Sequence, residues 1–72
     1  MFEYIVVEFV EKREVVIDDI GTPYETDQVI ELEPGTHTIS LAGKKNFSPT
    51  ERDITPSGTS SLQPDKVTFT LA

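Results

Sequence analysis

Leu32-Glu33-Pro34-Gly35-Thr36-His37-Thr38-Ile39-Ser40-Leu41 decides how the rest of the chain is read. Pro34 sets φ for a tight turn, and Gly35 supplies the positive φ that the next turn position often needs. Beyond this corner, His37, Ile39 and Leu41 fall on one face, and Thr36, Thr38 and Ser40 on the other. A period of two entered through a Pro-Gly turn predicts a half-buried β-strand.

Working outward, the same pattern recurs. Phe2 to Val10 reads as a first strand with Ile5, Val7 and Phe9 on one face and Phe2, Tyr4, Val6 and Val10 on the other, beside Glu8. Val15-Val16-Ile17 is a β-branched run that ends in a turn signal, Asp18-Asp19-Ile20-Gly21. Pro23 lacks an N–H, so Thr22-Pro23-Tyr24 belongs at an edge or a corner. Asp27 to Leu32 alternates again, Phe47 to Ile54 is a weaker strand broken by Pro49, and Pro56 to Asp65 is one long loop with a flexible Ser57–Ser61 centre. Val67, Phe69 and Leu71 alternate with Lys66, Thr68 and Thr70 in a last strand. No segment has a helical period. Six or seven short strands predict an all-β fold, a small antiparallel two-sheet β-sandwich occupying residues 1–72 as a single domain. The expected core is Val7, Phe9, Val16, Ile30, Leu32, Ile39, Leu41, Ile54, Val67, Phe69 and Leu71.

Composition bounds what such a domain can be. Seventy-two residues without cysteine must be held by one small apolar core, with no disulfide and no thiolate metal site. The net charge of −7 is concentrated in residues 1–36, where ten acids face only Lys12 and Arg13. An acidic chain repels phosphate backbones, which argues against nucleic-acid binding. No run approaches the roughly 20 apolar residues that cross a bilayer, so no membrane insertion is expected. The basic start and cleavage site of a secretory signal are missing, so a cytoplasmic location is expected for a whole protein and an extracytoplasmic one for an excised domain.

The order of these signals resembles the PEGA domain, a small bacterial β-sandwich related in shape to transthyretin-like and carboxypeptidase-regulatory-like domains. Val15-Val16-Ile17-Asp18-Asp19 looks like that family's strand ending in an acidic turn. Gly21-Thr22-Pro23 looks like its Gly-x-Thr-Pro corner, and Leu32 to Ile39 looks like its Pro-Gly turn and following strand. Phe47 and Pro49 stand where the family often has Gly-Tyr and a proline. The likeness spans roughly residues 4–71. Lys12-Arg13-Glu14 replaces the signature Pro-Glu-Gly-Ala, and the glycine after the acidic turn is Ile20 or is displaced to Gly21. The resemblance implies a binding or spacer module without a shared active site.

No residue pattern carries catalytic chemistry. The only histidine, His37, shares its face with Ile39 and Leu41 and reads as a core-margin residue without the partners catalysis requires. Asp18 and Asp19, with Glu25 and Asp27 nearby, are the best cation candidates, yet their spacing matches no calcium loop, and turn aspartates commonly bond their own backbone. Gly43-Lys44-Lys45 lacks the rest of a phosphate loop and reads as a charged hairpin tip. The chain is therefore expected to be no enzyme, with no catalytic residue, no metal site and no cofactor. The expected function is a non-catalytic accessory or interaction module that binds a protein partner through a sheet edge or an apolar strand face. Phe2, Tyr4, Val6 and Tyr24 are its partner-binding candidates. Self-association through paired first strands is the simplest form, and a carbohydrate- or cation-binding module is the alternative.

Overall fold

The computed structural model describes Met1–Ala72 and contains strands but no helix. Nine strands follow in order: β1 (Glu3–Glu8), β2 (Glu14–Ile17), β3 (Ile20–Glu25), β4 (Val29–Leu32), β5 (His37–Leu41), β6 (Phe47–Ser48), β7 (Arg52–Ile54), β8 (Asp65–Thr68) and β9 (Thr70–Leu71). They form a three-stranded sheet in the order β4-β1-β8, a four-stranded sheet in the order β3-β2-β5-β7, and a two-stranded β6-β9 ribbon. The two larger sheets bury their inner faces in one core. Ile5, Val7, Ile30, Leu32 and Val67 come from the first, Val15, Ile39 and Leu41 from the second, and Phe47 from the ribbon.

The strand count exceeds the expected six or seven because two expected strands each divide. The Phe47–Ile54 stretch breaks around Pro49 into β6 and β7. The last strand breaks at Phe69, whose N–H donates to the Glu8 carbonyl at 2.9 Å while the chain behind it leaves for β6. The fold is antiparallel in every ladder but one: β8 runs parallel to β1, with Val7 beside Val67. Parallel neighbours need a long crossover, and here the crossover comprises the entire second sheet.

Local chemistry accounts for the corners. Asp18 and Asp19 have φ of 53° and 64°, and Ile17 pairs with Ile20 across them. This is the two-residue hairpin with positive φ at both central positions, whose twist matches that of the strands it joins. Gly35 takes φ of 115° at the Pro-Gly corner. Pro23 lies in β3, an edge strand, where a missing donor is tolerated. Replacing Asp19 by glycine removes the left-handed backbone cost of a side chain at the hairpin tip. Asp19→Gly is expected to raise stability by about 0.5–1 kcal/mol, read as a higher urea midpoint with unchanged slope.

The core departs from the expected set at three positions. Val15, not Val16, is fully buried, because Val15 pairs with Leu41 and Ile17 with Ile39 on the inward face. Three consecutive β-branched residues have no alternation to mark that parity, and the β2–β3 register shifts between Glu14 and Val16. Leu71 is 56% exposed because the break at Phe69 ends the alternation that would have turned it inward. Ile54 packs against the core from a half-buried position. Ile5, Val15 and Phe47 complete the core in place of these three.

Candidate functional site

Alternation along β1 sends Ile5 and Val7 into the core and leaves Tyr4, Val6 and Glu8 on the outer face of the β4-β1-β8 sheet. The register sets Val29 and Lys66 on either side of Val6, and Glu31 opposite Tyr4. The Tyr4 hydroxyl donates to Glu31 Oε1 at 3.3 Å. Partial desolvation, followed by the Glu31 charge, pushes the Tyr4 phenol above its ordinary value. Phe2 precedes the strand with the same parity, and Phe2 and Val29 are each about half exposed, at 49% and 46%. The start of β1 is pinned to the long loop. The Thr59 N–H and hydroxyl both donate to Glu3 Oε1, at 3.0 and 2.6 Å, and the Tyr4 N–H donates to Thr59 Oγ1 at 2.7 Å. These bonds hold the Glu3 carboxyl below its ordinary value, and they tie down the centre of a loop that composition alone marks as flexible.

Phe2, Tyr4 and Val6 thus come together, and Tyr24 does not join them. Tyr24 lies on β3 in the other sheet and packs against the core cluster. The proposed pairing of first strands also fails, since β4 and β8 occupy both edges of β1. The outer edges available to a partner strand are those of β4, β8, β3 and β7.

A shallow groove of about 370 Å³ opens beyond the last residue of β1, where β8 ends and β9 turns away. Phe9, Val10, Phe69 and Leu71 supply its apolar walls, and Glu8, Asp27, Thr68 and Thr70 complete its lining. Sequence reading put Phe9, Phe69 and Leu71 in the core and Val10 on the first strand's second face. Only the divergence of the strands shows that these four side chains share a concavity.

The acidic hairpin tip has a different use from the cation site considered for it. Asp18 Oδ1 accepts from the Thr38 N–H at 2.9 Å, and Asp18 Oδ2 lies 2.8 Å from His37 Nδ1. His37 Nε2 lies 2.7 Å from the Glu33 carbonyl oxygen. Both ring nitrogens face acceptors, which suits the doubly protonated imidazolium. No three acidic or histidine side chains converge in a way that could hold a metal.

This clasp has a definite pH signature. The hydrogen bond to Asp18, then that to Glu33, raises the His37 value above 6.5, and the nearby Glu33 carboxylate adds to the effect. Its stabilisation is complete below the unfolded histidine value of about 6.5 and is lost as pH rises through the higher folded value. Asp18 is lowered, first by the Thr38 N–H and then by His37, so its contribution is present above the unfolded carboxylate value and lost as pH falls through the lower folded one. Stability is expected to peak between the carboxylate range and pH 6.5 and to decline on the alkaline side. Urea midpoints measured from pH 4 to 9 check this, and His37→Gln should flatten the alkaline limb.

With this geometry established, comparison with known proteins identifies no relative: no family model, no curated protein and no solved structure matches the chain.

Proposed function

We propose that this chain is a non-catalytic interaction module that receives a protein partner on the outer face of the β4-β1-β8 sheet. One observation carries the reading: the half-exposed Phe2 and Val29 and the partly exposed Tyr4 and Val6 share the outer parity of the β4-β1-β8 sheet. One strand about 20 Å long between two of about 13 Å, spaced about 4.8 Å apart, presents a footprint of roughly 220 Å². A stable interface uses about 800 Å² per partner, so this face suits a weak contact, or one that continues onto neighbouring surface. The PEGA-like hairpin and Pro-Gly corner support the same class, a binding or spacer module without an active site. The outer edge of β4, which no strand pairs, adds main-chain groups to which an extended partner segment can bond, whereas Arg52 already bonds the Thr68 carbonyl of β8.

Sedimentation velocity from micromolar to millimolar concentration tests self-association, the simplest form of the reading. Association that Val6→Lys abolishes, with the fold intact, supports a second copy packed face to face. Strict monomers exclude that form and leave a different protein as partner. Amide exchange then tests the face itself: added partner protecting β3 and β7 but neither β4 nor β8 would place the contact on the other sheet and overturn the assignment.

A further inference from the structure

The groove beyond β1 differs from the sheet face in both shape and charge. It forms because the neighbours of β1 part. The Asp27 N–H closes on the Val7 carbonyl on one side, the Phe69 N–H on the Glu8 carbonyl on the other, and past these bonds no strand flanks Phe9 and Val10. Val10 is 72% exposed and Leu71 56%, so two large apolar side chains border the space instead of closing over it. Phe9 and Phe69, both held in the core cluster, form a rigid floor. The lining includes two acidic residues, Glu8 and Asp27, and no lysine, arginine or histidine; of the cations that reach its residues, Arg52 is bonded to the Thr68 carbonyl at 3.1 Å and the Arg13 guanidinium lies 5.7 Å from the Phe9 ring centre. Glu8 Oε1 accepts from the Thr68 hydroxyl at 3.2 Å, which fixes one carboxylate at the rim. Neither carboxylate forms an ion pair within the chain. A volume near the lower end of the roughly 300–1,000 Å³ typical of ligand sites holds one or two large side chains, not a whole helix.

We propose that this groove binds an apolar side chain of a partner polypeptide flanked by lysine or arginine. The apolar side chain covers Val10, Leu71 and the Phe69 floor, and the flanking cations meet the Glu8 and Asp27 carboxylates in water, where the pairs contribute selectivity and encounter rate more than affinity. The domain's net charge of −7 attracts such a segment from a distance and repels an acidic one. The inference rests on the reading of the chain as an interaction module and supplies the chemistry of its partner. Glu8 lies on the same outer face as Tyr4 and Val6, so a segment seated in the groove runs on to the sheet face and enlarges a footprint that is small by itself.

The test uses an N-acetylated, C-amidated tetrapeptide of two leucines flanked by lysines, titrated into the isotopically labelled protein to millimolar concentration. The amides of Phe9, Val10, Asp27 and Phe69 to Leu71 are expected to shift together. Glu8→Gln with Asp27→Asn should weaken binding roughly tenfold, with the loss growing at low ionic strength. Leu71→Lys should abolish binding while the rest of the spectrum stays native, since Leu71 stands at the surface. The matching peptide with glutamates in place of lysines should not bind. Equal shifts with the acidic peptide, or no shift at the groove amides, would overturn the proposal. Shifts confined to Tyr4, Val6 and Val29 would overturn the groove assignment and leave the sheet-face reading standing. That reading fails separately, in the exchange experiment above.

Discussion

Phe69→Ala is expected to leave most of the chain unfolded at 25 °C. Phe69 is almost completely buried, and its ring meets Phe47 edge to face, with centroids 5.6 Å apart and planes at 88°. Phe47 in turn meets Phe9 at 6.2 Å and 79°, so one stack joins the end of β1, the β6-β9 ribbon and the turn after β8. Truncating a buried phenylalanine costs about 3–5 kcal/mol, which matches the roughly 3–5 kcal/mol that a single core of this size supplies. The backbone N–H of residue 69 survives the change, so the loss isolates packing. Circular dichroism against urea and amide dispersion at 25 °C report the outcome. A melting point within a few degrees of wild type would show that the stack is dispensable.

Arg13→Ala is expected to cost about 2–3 kcal/mol and to loosen residues 42–46. The Arg13 side chain is only 12% exposed. Its Nε and Nη2 donate to the Ala42 carbonyl at 2.9 and 2.6 Å, Nη2 also donates to the Lys44 carbonyl, and Nη1 donates to Asn46 Oδ1 at 2.7 Å. The guanidinium lies 5.7 Å from the Phe9 ring centre and 5.6 Å from that of Phe47. Gly43 makes room for it, since a Cβ there would stand 3.3 Å from Nη2 at a φ of 89°. Arg13→Lys should recover little, because one ammonium cannot reproduce a planar fork that both bonds and stacks. Amide exchange at Gly43 to Asn46, together with thermal melts, separates this from a general loss of stability. Unchanged protection in that loop with a lowered melting point would contradict the role assigned to Arg13.

The all-β class was legible wherever polar and apolar residues alternate, as from His37 to Leu41 and from Lys66 to Leu71. It became illegible where alternation stops. The run Val15-Val16-Ile17 gives no parity, and only pairing with β5 decides that Val15 turns inward. Leu71 continues the pattern of Val67 and Phe69 in sequence, but a hydrogen bond between residues 69 and 8, far apart in the chain, breaks the strand between them. The candidate site was half legible for the same reason. A doubly apolar β1 could be read from residues 2–10, whereas its burial between β4 and β8 depends on partners 20 to 60 residues away. Arg13 appeared as part of a charged connector, since nothing local marks the loop around which it closes.

The parallel neighbour of β1 carries a consequence for biosynthesis. Because β8 completes the sheet begun by β1, β1 waits for a strand made about 60 residues later, and the Phe9-Phe47-Phe69 stack cannot close until residue 69 has cleared the ribosome exit tunnel. Until then Ile5, Val7 and Phe9 lack the cover of Val67 and Phe69, and the edge of β1 that β8 will occupy remains open to other chains. The nascent chain is therefore expected to engage chaperones until residue 69 emerges, and slowing translation of residues 60–71 should lengthen that engagement and lower the soluble yield.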